Sequence, residues 1–257
     1  MRRSLTLALV TVLALGSTAA CTKGDNGGDA GSGQDTVIRV FAAASLTESF
    51  TALGKTFESE NPGTKVEFNF GPSSGLAEQI GSGAPADVFA SASPTNMDTV
   101  VQAGDAKDPK DFATNSMEIA VPPANPGGIA SFADLAKGGV KVALCQAQVP
   151  CGKTAAAAIA KAGLTVKPAT EEVDVKSVLT KVTLGEVDAG VVYVTDVQAA
   201  GDKVKGIEIP ADQNASTTYP IATLSGSGSA QTATDFVDLV TSEQGLAVLE
   251  EAGFGKP

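Results

Sequence analysis

From Val37 onward, short apolar runs alternate with segments whose apolar residues recur at helical spacing, and few architectures accept that order. VIRVFAAA reads as a buried strand, and Leu46, Phe50, Leu53 and Phe57 then fall near a 3.6-residue period. Ahead of them Ser45-Leu-Thr-Glu48 has the Ser-x-x-Glu form that predicts a capping box. Asn61-Pro62-Gly63 marks a turn, TKVEFNFG alternates as a strand, and Ser73-Ser74-Gly75 leads into the helix LAEQIGSG. ADVFASA is a short buried strand, and Ser93-Pro94 predicts an N-cap with proline at the first helical position. This β-α-β-α-β order predicts an open, largely parallel sheet.

The order then repeats. MEIAVPP is strand-like, SFADLAKGG a short capped helix, VKVALCQ a strand, and an Ala-rich helix starts at Gly152. A helix from Asp174 to Val182, the strand DAGVVYVTD, the strand YPIATL and closing helices broken around Ser242 complete the chain. The expected class is α/β, in two lobes of about 100 residues each.

Sheets of this kind take ligands beyond the carboxyl ends of their strands. Ser45 follows the first strand, and Ser73 and Ser74 follow the second. Val149-Pro150-Cys151-Gly152 follows VKVALCQ, and Asp174-Val175 precedes the next helix. Hydroxyls and backbone N–H groups at helix N-termini are neutral donors, able to hold an oxyanion without a counter-charge. Taken singly, each serine and Asp174 also reads as a helix cap. Tyr193, near the end of a buried strand, needs a hydroxyl partner from the protein or from a ligand.

Several chemistries are excluded. The chain has no His, which removes Ser-His-Asp and Cys-His triads, His-ligated zinc and any imidazole base. Gly152-Lys153-Thr154 resembles the tail of a P-loop, but Ala147 stands where its first glycine belongs. Gly71-Pro-Ser-Ser-Gly75 lacks the spacing and the base of a nucleophile elbow. Asp87, at the start of a short strand, reads as a structural hydrogen-bonding residue. A net charge of −11, with Arg39 the only arginine beyond Arg2 and Arg3, argues against nucleic acid.

Arg2 and Arg3, an apolar run from Leu5 to Leu15, and small residues up to Ala20 form a secretory signal pattern over residues 1–20. Cys21 directly after Ala19-Ala20 is similar to the lipobox of bacterial lipoproteins, although Thr18 stands where that motif usually has leucine. Residues 21–35, rich in Gly, Asp, Asn and Ser, read as a flexible tether from a lipidated Cys21. The expected location is the outer face of the cell membrane. In an exported chain, Cys145 and Cys151 are expected to pair as a disulfide.

FAAASLTESF followed by FGPSSGLAEQIGSGAPADVFASAS closely resembles the start of bacterial molybdate-binding proteins, the extracytoplasmic components of molybdate ABC transporters. VPCG, EEVDVKSVL, GEVDAGVVYVTD, YPIATL and GLAVLEEAGF continue the likeness, in order, over nearly the whole mature chain. The resemblance implies a two-lobed periplasmic-binding-protein fold (type II), each lobe a mostly parallel sheet flanked by helices. It places crossings near Glu118 and Tyr219–Pro220, giving lobe 1 as 36–118 with 221–257 and lobe 2 as 119–220. Carried over by motif, the oxyanion-binding positions fall on the side chains of Ser45, Ser73 and Tyr193 and the backbone N–H groups of Cys151 and Val175, with Ser74 a possible addition. Pro72 and Cys151 depart from the family's commoner residues.

The resemblance further implies no catalysis and no cofactor, a molybdate or tungstate oxyanion held by hydrogen bonds with no direct metal ligands, a membrane permease as partner, and a monomer. Three readings stand against it. One is the same fold serving mainly tungstate or sulfate, another an exported α/β enzyme using Ser or Asp, and the third a surface interaction module indifferent to small anions.

Overall fold

The computed structural model describes residues 36–257; the signal segment 1–20, the tether 21–35 and Cys21 lie outside the described residues. The first alternating unit runs β1 (Thr36–Ala43), α1 (Thr47–Glu60), β2 (Thr64–Gly71), α2 (Ser73–Gly81), β3 (Val88–Ala90) and α3 (Pro94–Gln102). A long strand β4 (Lys110–Val121) leads to β5 (Val142–Cys145), α4 (Pro150–Lys161), β6 (Thr170–Glu172), α5 (Val175–Thr183), β7 (Ala189–Tyr193) and α6 (Val194–Ala200). β8 (Lys205–Glu208), β9 (Ser216–Thr223), α7 (Ala230–Thr241) and α8 (Glu243–Glu251) finish the chain.

The strands form a sheet path β2-β1-β3-β9-β4-β7-β5-β6, with β8 paired to β4 off that path. β1 is parallel to β2 and β3, and β5 is parallel to β6 and β7. Antiparallel pairing is confined to the contacts of β4 and β9. β4 works in both halves: Lys110–Ser116 pairs with β9, and Met117–Ala120 pairs with β7.

Alternation along the strands sorts the core. Ile38, Val40 and Ala42 of β1 pack with Phe50, Phe57, Phe236, Val240 and Leu249 on one face. Phe41 packs with Leu76, Ile80, Phe89 and Met97 on the other. A sheet covered on both faces explains why VIRVFAAA is apolar almost throughout. A separate cluster joins Met117, Ile119, Val142, Val178, Val182, Val191 and Tyr193. There α5 lies so close to β7 that a Cβ on Gly190 would stand 2.7 Å from a Val178 methyl.

Two local expectations, for Ser45 and for DAGVVYVTD, are corrected, and those for Ser93-Pro94 and SFADLAKGG hold in position with a detail added. Ser45 does not cap α1: a 3-10 turn, Ala44–Leu46, intervenes, α1 starts at Thr47, and no side-chain cap bond forms. Ser93 stands at the N-cap of α3 with Pro94 at N1, but its side chain makes no cap bond. DAGVVYVTD is a strand only to Tyr193, because Asp196 reaches back to the Tyr193 N–H at 3.1 Å and turns the chain into α6. SFADLAKGG forms a 3-10 helix, Phe132–Ala136, with a capping box between Ser131 and Asp134.

Candidate functional site

The parallel strands aim their carboxyl ends at one small cavity of about 20 Å³, the scale of a single small ion and far below the several hundred typical of organic-ligand sites. Ala43, Ala44 and Ser45 enter it after β1, Gly71, Pro72 and Ser73 after β2, and Ala92 after β3. Val149, Pro150 and Cys151 follow β5, Asp174 and Val175 follow β6, and Tyr193 ends β7. Ser45, Ser73, Cys151, Val175 and Tyr193 therefore line one space, drawn from both halves of the sheet. Ser74, on the same helical turn as Ser73, is not among the lining residues.

Three α-helices begin at this cavity. Ser73 is the first residue of α2, Cys151 the second of α4 and Val175 the first of α5. N–H groups in a helix's first turn have no intrahelical acceptor, and the helix dipole adds partial positive charge there. Asp174 is the one lining residue with a formal charge. Its Oδ1 accepts from Ser177 N–H at 2.8 Å, the cap expected of it.

The side-chain donors differ in how they are held. Ser73 Oγ accepts from Ala92 N–H at 3.0 Å, which leaves the Ser73 proton free to donate elsewhere. Ser45 Oγ lies 2.8 Å from Tyr219 Oη. Tyr193 Oη is buried without a hydrogen-bond partner among the described residues, an uncommon and costly state for a hydroxyl. Burial pushes its phenol well above the ordinary range; the Thr154 and Tyr219 hydroxyls oppose that shift and Asp196 adds to it. Tyr193 thus stays protonated and able to donate.

On the α4 side, Cys145 and Cys151 are bonded, Sγ–Sγ 2.02 Å, tying the end of β5 to the first turn of α4. A Cβ on Gly152 would collide with the backbone oxygen of Gln146, so only glycine fits where α4 folds back on the strand end. Sequence reasoning missed the roles of Ala92 and Tyr219. Tyr219 is the second of two tyrosines, and that rarity was the one available signal. A wider groove of about 640 Å³ elsewhere includes Glu118 and Glu208. Burial and the Glu208 charge raise the Glu118 carboxyl, and Lys161 lines the same groove.

Residues 38–255 match the family described as bacterial extracellular solute-binding protein. The chain is 43% identical over 221 residues to the molybdate-binding protein ModA of Mycobacterium tuberculosis (strain ATCC 25618 / H37Rv), covering 86% of this chain and 85% of that protein. The fold is shared with the periplasmic molybdate-binding protein of Azotobacter vinelandii, TM-score 0.76 at 19% identity over 86% of this chain and 99% of the other. It is shared too with the sulfate-binding protein SubI of Mycobacterium tuberculosis H37Rv, TM-score 0.74 at 20% identity over 85% and 86%.

Proposed function

This chain belongs to the bacterial extracellular solute-binding proteins, and from that premise we propose that it binds molybdate, and tungstate of nearly the same shape, for an ABC transporter permease. Proteins of this family bind solutes and are not enzymes, and they need no cofactor. One observation carries the choice of ligand. Apart from the Asp174 carboxylate, whose Oδ1 caps α5, the cavity's polar groups are neutral, and one of its hydroxyls, Tyr193 Oη, is buried without a partner. Molybdate at neutral pH is a dianion without protons, so it accepts from every donor and completes the Tyr193 bond. Each charge-assisted bond contributes about 1.5–3 kcal/mol net, and several together overcome the cost of association. Similarity to ModA supports the same ligand.

In this reading Ser45, Ser73 and Tyr193 donate through side chains, and Cys151 and Val175 through backbone N–H groups. Lobe 1 (36–118 and 221–257) and lobe 2 (119–220) close on the ion as a hinge and shield it from water. The closed surface is what the permease recognises. Residues 1–20 direct export, a lipidated Cys21 anchors the chain outside the membrane, 21–35 is the tether, and the protein works as a monomer. The Cys145–Cys151 bond stiffens the loop that presents the Cys151 N–H.

Thermal unfolding of the mature chain with molybdate, tungstate, sulfate or phosphate tests this. A ligand at 1,000 times its dissociation constant stabilises by about 4 kcal/mol. A large shift with molybdate and tungstate and little with the others supports the proposal. An equal response to sulfate changes the ligand, and no response from metal-free protein to any oxyanion overturns the reading.

A further inference from the structure

α1 packs on the core around β1 and α5 on the core around β7, so the two helices belong to opposite walls of the cavity. Lys176 of α5 donates across that divide to both oxygens of Glu48 in α1, at 3.0 and 2.8 Å. With the lobes assigned as above, every other ion pair among the described residues stays within one lobe. The two ends of the Glu48–Lys176 pair are held differently. The Lys176 ammonium also lies 3.0 Å from Oδ1 of the wholly buried Asp196, whose Oδ2 accepts from the Tyr193 N–H at 3.1 Å. Breaking a buried pair strands a charge, so Lys176 stays with Asp196. The Glu48 side chain is 53% exposed, and an exposed carboxylate exchanges a protein partner for water at little cost. The contact therefore parts at Glu48. Its three members also flank the site: Lys176 follows Val175, Asp196 holds the backbone of Tyr193, and Glu48 stands three residues after Ser45. Val175, Tyr193 and Ser45 all line the cavity.

We propose that the Glu48–Lys176 pair is a releasable latch between the two walls of the cavity, and that it slows the escape of the bound anion. The inference rests on the anion-binding reading above, with its two lobes, and adds the residues that set the lifetime of the closed complex. The donors in the cavity decide how well the anion is held, and the latch decides how often the walls part. A bare field effect of Glu48 runs the other way. A carboxylate close to a bound dianion repels it, so as a mere charge its removal tightens binding. As a latch its removal speeds release, and the sign of the change separates the two roles. Salt gives a second handle, because dissolved ions screen an exposed pair. Release should therefore quicken with ionic strength while Glu48 is present and lose that dependence without it.

The test loads wild type, Glu48→Gln and Glu48→Lys with radiolabelled molybdate and chases each with unlabelled molybdate, which reads the dissociation rate directly. Calorimetric titration of the same proteins supplies Kd, and the two together give the association rate. The expected result is a dissociation rate about three-fold faster in Glu48→Gln. It should be faster again in Glu48→Lys, where two ammonium groups face each other. The wild-type rate should climb between about 0.05 and about 0.5 M NaCl, and the Glu48→Gln rate should stay level. An unchanged or slower release in Glu48→Gln, or an affinity loss carried by association instead, overturns the proposal. The salt series on wild type needs no substitution, and a flat series overturns it too. Wild type that binds no tetrahedral oxyanion defeats the functional reading itself, whereas wild type that binds molybdate and releases it no more slowly than the variants defeats this inference alone.

Discussion

Lys176 Nζ lies 3.0 Å from Oδ1 of Asp196, a carboxylate whose side chain is wholly buried. The same ammonium reaches Glu48 Oε2 at 2.8 Å, so a residue of α5 ties α6 to α1, whose apolar face belongs to the other core. Burial alone pulls the Lys176 ammonium down, but the Asp196 and Glu48 carboxylates outweigh it and the net shift is upward. A lysine raised in the fold stabilises fully below its unfolded value, about 10.4, and the contribution is lost as pH rises through the folded value.

Lys176→Met leaves the Asp196 carboxylate buried with no cation, which is expected to destabilise by about 3–5 kcal/mol at neutral pH. Burial raises Asp196, with Lys176 holding it down. Removing Lys176 raises it further, and a carboxyl raised in the fold loses stability as pH rises. Urea unfolding should therefore show the deficit of Lys176→Met shrinking between pH 7 and pH 5. Glu48→Gln breaks an ion pair with an exposed carboxylate, so its effect stays below about 1 kcal/mol. A pH-independent deficit in Lys176→Met would rule out this account of the pair.

Tyr193→Phe is expected to move two quantities in opposite directions. The unpartnered hydroxyl is a cost in the empty protein, so its loss should raise stability by up to about 1 kcal/mol. The same loss removes a donor to the anion and should weaken molybdate binding by about 1–3 kcal/mol. Ser45→Ala and Ser73→Ala share the binding loss, but each also strips a partner from a buried group, Tyr219 Oη or Ala92 N–H. They should therefore lower stability where Tyr193→Phe raises it. Paired melting and titration of the three variants decides the matter, and a stability loss in Tyr193→Phe would mean that its hydroxyl is already satisfied.

Much of this was legible in the residues because the signals were local. Apolar runs and helical periods placed the strands and the long helices, and strand ends and helix starts singled out Ser45, Ser73, the segment Val149-Pro150-Cys151-Gly152 and Asp174-Val175, while the choice of Cys151 and Val175 within those segments came from the resemblance to molybdate-binding proteins. What escaped depended on partners far away in the chain. Ser45 looks like a cap because Glu48 stands three residues on, yet its hydroxyl is taken by Tyr219, 174 positions away. β6 and β8 are too short and too polar to show a period, and α6 hides in the tail of an apolar strand. Asp174 was read correctly as a cap, but a cap at the mouth of α5 also becomes part of the cavity wall.

Gly152 and Cys151 separate two ways of disturbing α4. Cys151→Ala removes the disulfide and is expected to cost about 2 kcal/mol of stability by chain entropy, while binding persists because a backbone N–H does not depend on its side chain. Gly152→Ala keeps the disulfide but drives a methyl into the backbone of Gln146, which must push the first turn of α4 out of place. Molybdate titration should show near-normal affinity in the first variant and a loss of ten-fold or more in the second. Equal losses in both would tie recognition to the cysteine side chain instead.

The anion site is expected to be indifferent to pH across the neutral range. The chain has no histidine, and the two cysteines near the cavity are bonded to each other. Burial holds the Tyr193 phenol well above its ordinary range, and burial and the neighbouring Tyr193 do the same for Tyr219. Both hydroxyls therefore keep their protons as pH rises toward 9, and backbone N–H groups do not titrate. Lys176 is raised too, so its tie between α1 and α6 persists through the same interval. Molybdate is already an unprotonated dianion at neutral pH. Its dissociation constant should change by less than about two-fold between pH 7 and pH 9 and worsen only beyond the ordinary lysine value of about 10.4, where the raised Lys176 ammonium loses its charge. An inflection between pH 7 and pH 9 would show a titrating group in the site and defeat a cavity made of neutral donors.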